Sequence, residues 1–118
     1  MQDRPTAAEL VEAVREFLER DITPAVDGRL SFHTRVAVNV LATVQRELEL
    51  GPAQDEAQRE RLVALLQHDG TTGDLERELA AAIRAGTLSD AQHDDAVTHV
   101  RATVREKLEV ANPKYLTQ

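Results

Sequence analysis

Apolar residues recur at helical spacing in five stretches of the chain, and short polar connections separate the stretches. The first stretch follows a capping-box pattern, in which the side chains of Thr6 and Glu9 each satisfy a backbone N–H of the first turn. Its apolar positions are spaced i, i+4, i+7 and i+8, which predicts a helix over 7–20. The residues expected on its inward face are Leu10, Val14, Phe17 and Leu18.

The second stretch is apolar around most of its circumference. It predicts a helix over 31–50 that ends at Gly51-Pro52, since a glycine followed by proline commonly stops a helix. So broad an apolar surface is typical of a central helix, packed on several neighbours or on another subunit. Its apolar side is expected to comprise Val36, Ala37, Val40, Leu41, Val44 and Leu48.

Three more amphipathic helices follow in the second half of the chain. In the last of them, the apolar spacing places His93 on the inward face and His99 on the outward face. The sequence has no alternating pattern typical of a strand. The three helices are predicted over 54–68, over 74–85 with a stop at Gly86, and from Thr87 or Ser89 to a stop at Asn112-Pro113.

The whole pattern predicts an all-α protein. We expect an up-and-down helical bundle of four to five helices, in one domain over 1–118, with the helix at 31–50 in its centre. The apolar surface of that helix also allows a homo-oligomer. Because only 3% of the residues are aromatic, the core is expected to consist of aliphatic side chains, which favours closely packed helices over a large aromatic-lined pocket.

Charge and composition argue against several classes of function. The chain carries 14 Lys and Arg against 21 Asp and Glu, a net charge of -7. Nucleic-acid phosphates and anionic lipid repel such a protein, so we expect neither a nucleic acid nor a membrane as partner. The absence of cysteine excludes disulfides and thiolate metal sites. With no recognisable export signal, we expect a cytoplasmic location.

The start of the second predicted helix holds the most reactive candidates. His33 lies among the valines of the helical wheel, where it can act as a general base or ligand donor, or can hydrogen-bond a neighbouring loop. We favour the loop interpretation and expect His33 to be buried, uncharged and bonded to a carbonyl of the 21–29 connection. Arg35 and Asn39 belong to a polar stripe, interpreted either as an anion site or as a solvated edge.

Motifs for metal binding and catalysis are missing from the sequence. A di-iron bundle requires Glu-x-x-His motifs, and the nearest pattern here is Asp90-x-x-His93. No serine lies in a nucleophile motif with a recognisable base, and Gly70 and Gly73 do not form a phosphate loop. We therefore expect no metal, no cofactor and no catalysis by this chain alone.

Five segments of the chain, taken together, resemble a known family. They are 4–10, 28–39, 46–52, 83–86 and 107–115. The block from Phe32 and His33 to Asn39 is the most specific part. These segments resemble domain of unknown function 6285, a bacterial family of short helical proteins, and the resemblance covers most of the chain.

This resemblance implies a function through gene neighbourhood. Genes of the family tend to lie beside aminoglycoside-phosphotransferase-like kinases and acyl-CoA dehydrogenases. The resemblance therefore implies a non-catalytic accessory or regulatory interaction protein whose partner is such a kinase or dehydrogenase. The alternative is a small-molecule or anion-binding sensor, with His33, Arg35 and Asn39 as its site.

Overall fold

Helices account for nearly all of the chain. The structure is a computed structural model, and it describes residues 3–117. No strand occurs in this range, so the prediction of an all-α protein is confirmed. The elements are α1 (Ala7–Phe17), a π-helix (Leu18–Ile22), a 3-10 helix (Thr23–Ala25), α2 (Gly28–Leu66), α3 (Thr72–Ala85), α4 (Asp90–Ala111) and a second 3-10 helix (Pro113–Thr117).

The start of α1 has the capping box that the sequence predicts. The Thr6 hydroxyl accepts from the Glu9 backbone N–H at 3.2 Å, and the Glu9 carboxylate accepts from the Thr6 N–H at 3.1 Å. Two N–H groups that the helix itself cannot satisfy gain partners in this way. The regular α-helix ends at Phe17 rather than at Arg20, and the chain continues as the π-helix.

One helix, α2, covers the two helices predicted over 31–50 and 54–68. The predicted stop at Gly51-Pro52 is wrong, because Pro52 lies inside the helix. A glycine stops a helix by adopting a positive φ, and Gly51 does not adopt one. Proline disfavours a helical residue before it because its ring meets that residue's Cβ. Gly51 has no Cβ, so the helix can continue through this pair.

α3 ends where the sequence predicts, at Gly86. This residue has a φ of 68°, in the left-handed region that glycine adopts without strain. The N–H groups of Gly86 and Thr87 bond to the carbonyls of Ile83 and Ala82 at 3.2 and 3.1 Å. These two bonds satisfy the end of the helix in the usual Schellman arrangement.

The described residues form two compact units. The first runs as far as Gly51 and includes Val110–Asn112, and the second comprises Pro52–Glu109 with the residues from Pro113 onward. The prediction of a single domain over 1–118 stays a prediction. Among the described residues, the buried apolar ones all lie in the second unit, and they are Leu62, Leu65, Leu75, Leu79 and Ala96.

The first unit contains no buried residue among those that the structure describes. Within it, Arg15 Nε donates to Gln45 Oε1 at 3.2 Å, which joins α1 to α2. The segment 31–50, predicted as the central helix of the bundle, is therefore only partly covered by the other described residues. The segment is apolar around most of its circumference, whereas one neighbouring helix can cover only one side of it.

Candidate functional site

An apolar row runs along the exposed side of α2. Its five residues are spaced four apart and follow one helical ridge, and each is between 37% and 59% exposed. Soluble monomers rarely leave a large contiguous apolar surface in water, and such surfaces mark sites of interaction. This row, the α2 ridge, comprises Phe32, Val36, Val40, Val44 and Leu48.

The apolar stripe of α1 is exposed as well. Leu10, Val14 and Phe17 are each slightly more than half exposed, although their spacing predicts an inward face. Of the four residues predicted to face inward, only Leu18 is half-buried, so the prediction is wrong for the other three. The half-buried side of α1 instead includes Val11. Helical spacing identifies an apolar face but does not say whether the same chain covers it.

A third exposed apolar surface lies on the second unit. Val97, Val100 and Val104 of α4 are 40–51% exposed, and we call these three residues the α4 stripe. Ile83 of α3 is also exposed and lies with the stripe at a shallow depression of about 280 Å³. The depression is lined by Ile83, His93, Ala96, Val97, Val100 and Arg101. Most of its lining is apolar, and His93 and Arg101 are its polar members.

The side of α4 that packs inside the second unit is largely polar. His99 is 3% exposed, whereas His93 is exposed, so the sequence places both histidines on the wrong faces. Thr103 and Glu106 follow His99 at spacings of four and three residues and are half-buried. The partners of these groups on the other helices orient α4. The valines of the α4 stripe are turned outward as a result.

His99 is bonded on both ring nitrogens. Arg61 Nε donates to Nδ1 at 3.2 Å, and Nε2 lies 2.8 Å from Glu76 Oε1. A guanidinium has donors only, so Nδ1 is the acceptor and the proton of the ring is on Nε2, which donates to Glu76. The network thus links α2, α3 and α4 through one buried imidazole.

Arg61 also pairs with a carboxylate of α4. Its Nη2 lies 2.7 Å from Glu106 Oε1 and 3.2 Å from Thr103 Oγ1. Side-chain exposure is 26% for Arg61 and 19% for Glu106, so water screens this pair only in part. About two turns earlier on α2, Gln54 donates to the Glu106 carbonyl at 3.0 Å. Polar contacts therefore hold α4 on α2 within this unit.

The second carboxylate of the network, Glu76, is kept ionised by its neighbours. Burial acts to raise the pKa of Glu76, but the hydrogen bonds from Gln58 and His99 and the charge of Lys107 outweigh it. The pKa of the carboxyl therefore lies below its usual range. Gln58 Nε2 donates to the same Oε1 atom at 2.6 Å. These contacts are structural, since they satisfy one another inside the unit.

The three residues predicted as a ligand site, His33, Arg35 and Asn39, all lie exposed on α2. Arg35 and Asn39 are one turn apart and share a side, whereas His33 projects from nearly the opposite side to Arg35. The prediction that His33 is buried against a loop carbonyl is wrong, because the valines around it are themselves exposed. Its ring contacts Phe32 edge-on, with centroids 5.4 Å apart. Ligand binding by these residues stays a prediction.

Residues 3–117 offer neither a metal site nor a helix suited to a membrane. Within that range, no group of three or more His, Asp or Glu side chains is placed to hold a metal ion. None of the helices in the described range combines the length and the apolar character needed to cross a membrane.

Sequence reasoning missed the network of Arg61, Glu76, His99 and Glu106. A signal for it was present on α4, where His99, Thr103 and Glu106 share one face at spacings of four and three. That face is more polar than the valine face beside it. The rule that apolar faces turn inward therefore selects the wrong side of this helix.

Comparison with known proteins gives one match. Residues 24–115 match the model of the family described as Domain of unknown function (DUF6285). Neither a curated protein nor a solved structure matches the chain. The matched segment contains the α2 ridge and the α4 stripe and leaves out α1.

Proposed function

This chain belongs to the DUF6285 family, and on the basis of its exposed surfaces we propose that it is an interaction protein that binds another protein through the α4 stripe. One observation carries the proposal. Val97, Val100 and Val104 point outward, while His99, Thr103 and Glu106 on the inward side of the same helix have hydrogen-bond partners on α2 and α3. An apolar stripe on a helix is energetically favourable where a second surface covers it.

The composition of this surface favours a specific contact with another protein. Three valines and Ile83, each 40–51% exposed, offer an apolar surface, and His93 and Arg101 add polar side chains at the same depression. Protein interfaces combine such residues, with an apolar core and a polar rim. The chain has a net charge of -7, so a partner with a basic surface would be attracted to it before contact.

For the partner, we adopt the class that the family resemblance implies. This is a phosphotransferase-like kinase or an acyl-CoA dehydrogenase, and the chain acts on it as an accessory or regulatory subunit without chemistry of its own. An interaction protein of this kind needs a stable face rather than a reactive site. The polar network that orients α4 supplies that stability.

A co-purification experiment tests the proposal. The tagged chain is co-expressed with the kinase and, separately, with the dehydrogenase from the same organism. Val100→Glu places a charge in the centre of the stripe, whereas Ala91→Glu adds the same charge at an exposed position near the start of α4. We expect the wild type and Ala91→Glu to retain one of the two proteins and Val100→Glu to lose it. The proposal is contradicted if the wild type retains neither the kinase nor the dehydrogenase. It is also contradicted if all three chains retain the same protein equally.

A second candidate is anion binding at Arg35 and Asn39. Within the described residues Arg35 forms no ion pair, and Asn39 lies one turn further on the same side. A free guanidinium with a neighbouring amide suits a phosphate or carboxylate group. Inorganic phosphate should then raise the melting temperature of the wild type and of Arg29→Ala, but not that of Arg35→Ala. Equal shifts in all three chains exclude this site.

A further inference from the structure

We infer that a second copy of this chain covers the α2 ridge, as an antiparallel pair of α2 helices about a twofold axis through Val40. The inference rests on the proposed function in one respect, that exposed apolar surfaces of this protein bind protein. It concerns the first unit, whereas the proposed partner binds the second. The observation behind it is the arrangement of the exposed residues around Val40.

The exposed apolar residues of α2 lie at equal sequence distances before and after Val40. Val36 and Val44 lie four residues on either side, Phe32 and Leu48 lie eight on either side, and Val40 itself is 56% exposed. Leu30 and Leu50, ten residues away, are exposed as well. In an antiparallel pair about this axis, each residue lies level with its mirror position on the other copy. Such an interface must be complementary to itself, and a symmetric row of apolar residues satisfies this condition.

Two polar residues beside the α2 ridge, His33 and Glu47, favour the antiparallel direction. His33 and Glu47 lie seven residues before and after Val40, so all three lie close to one line along the helix. Both are exposed, and within residues 3–117 neither side chain has a hydrogen-bond partner of its own. In an antiparallel pair, His33 of one copy can donate to Glu47 of the other, twice per dimer. A parallel pair would instead bring Glu47 against Glu47, which is unfavourable.

The geometry of helix packing allows this contact. Residues seven apart stay in line when two helices cross at about 20°, the angle of most bundles. Val36 and Val44 then lie beside the central line, and Phe32 and Leu48 close its two edges. The stretch from Leu30 to Leu50 is about 30 Å long, which is sufficient for a continuous interface.

The accessible surface of the chain is large enough to supply such an interface. The chain exposes 8468 Å². A folded monomer of this mass exposes about 6,400 Å², and two independent bodies of roughly half the mass expose about 7,700 Å² together. The excess is about 2,100 Å² on the first count and about 770 Å² on the second. The smaller value is close to the contribution of each partner to a standard interface, about 800 Å².

Engineered cysteines test the inference in the intact chain, which has none of its own. The axis brings residue 40 of one copy beside residue 40 of the other, so Val40→Cys should form a covalent dimer under mild oxidation. His33→Cys and Glu47→Cys should each stay monomeric on a non-reducing gel when alone and should cross-link when mixed. Cross-linking of His33→Cys with itself, or no cross-link from Val40→Cys and from the mixture, overturns the inference.

Sedimentation equilibrium gives an independent readout. The wild type should sediment with twice the mass of 13.1 kDa. Val40→Glu should raise the dimer dissociation constant by at least about 100-fold, because it places two carboxylates at the axis. Asn39→Glu adds the same charge at the adjacent exposed position, off the central line, and should leave the dimer intact. His33→Glu should weaken the dimer, and adding Glu47→Lys should restore it.

The two proposals fail separately. A monomeric wild type in sedimentation, with no cross-link, contradicts the dimer and leaves co-purification through the α4 stripe unaffected. Val100 lies on the second unit, so the Val100→Glu chain should still sediment as a dimer. The same chain should no longer retain the kinase or the dehydrogenase. A Val100→Glu chain that is monomeric would show that the α4 stripe, and not the α2 ridge, holds two copies together.

Discussion

Arg61 donates its Nε–H to Nδ1 of His99 over 3.2 Å, inside the second unit. This contact fixes the proton of His99 on Nε2 and directs it to Glu76 on α3. One buried side chain of α4 is thereby tied to two other helices. The rotation of α4 about its axis follows from this contact, and with it the exposure of the α4 stripe.

Replacing His99 should destabilise the fold. His99→Ala removes a buried ring and leaves Arg61 and Glu76 without one partner each, at a cost of about 2–4 kcal/mol in the free energy of unfolding. Urea denaturation followed by circular dichroism measures this cost. His93→Ala, on the exposed side of the same helix, should change the free energy by less than about 0.5 kcal/mol. Equal effects of the two substitutions would show that the network does not orient α4.

Removing the proline inside α2 should stabilise the protein. Pro52 has no N–H to donate to the carbonyl four residues earlier, and an interior proline costs a helix about 3 kcal/mol. Pro52 is exposed, so Pro52→Ala should raise the free energy of unfolding by about 1–3 kcal/mol in urea denaturation. A decrease would show that the interruption at Pro52 is needed for folding.

Replacing Gly51 should change the stability of the protein by different amounts with and without Pro52. An added Cβ would meet Glu47 Cγ at 4.0 Å, which is an ordinary contact. In the Pro52→Ala background, Gly51→Ala should raise the free energy of unfolding by about 1 kcal/mol, because alanine is more favourable than glycine in a helix interior. With Pro52 present, the clash between proline and the preceding Cβ should remove most of that gain. The same denaturation series measures both values, and equal gains in the two backgrounds would refute the explanation given for the continuous helix.

His68, between α2 and α3, should titrate at a higher pH than a free histidine. Its Nδ1 lies 2.9 Å from the Asp69 carbonyl and its Nε2 lies 2.5 Å from Glu78 Oε2. The bond to the Asp69 carbonyl and then that to Glu78 raise the pKa of His68, because both favour the doubly protonated ring. Glu78→Gln should lower the pKa measured by NMR but leave it raised, because the bond to the Asp69 carbonyl remains.

The raised pKa of His68 determines whether the stability of the protein increases or decreases with pH. The folded pKa of His68 exceeds the unfolded value of about 6.5, so its stabilising contribution is complete below that pH. The contribution is lost as the pH rises through the folded pKa. Because the ring is exposed, the change in the free energy of unfolding should be small and should shrink further in salt. A wild-type stability that rises over this range relative to Glu78→Gln would contradict the assignment.

The existence of the helices could be predicted from the sequence, but not which of their faces would be buried. The capping box at Thr6 and the end of α3 at Gly86 follow from local chemistry, and both are confirmed. The stop at Gly51-Pro52 fails because the same dipeptide either ends a helix or continues it, according to the φ of the glycine. That angle depends on what the rest of the helix packs against.

The candidate surface could be recognised in the sequence as an apolar pattern only. The spacing of Val36, Val40 and Val44 indicates a face that leaves water, and it does not distinguish a core from an interface. The polar face of α4 is visible in the sequence, but the partners of His99 could not be predicted, because Arg61 and Glu76 lie 38 and 23 residues away. A wheel drawn for one helix contains no information about such distant partners.

The central claim, that the apolar surfaces of this chain are covered by protein, can be measured on valine methyl groups. The full chain is labelled at these methyls, and a soluble paramagnetic probe reports by NMR which of them water reaches. We predict that Val36, Val40 and Val44 are shielded in the protein alone, while Val97, Val100 and Val104 stay accessible until the partner is added. In the single chain, Val36, Val40 and Val44 are 44%, 56% and 37% exposed. If the probe relaxes their methyl groups as strongly as these exposures predict, nothing covers the α2 ridge and the account is contradicted.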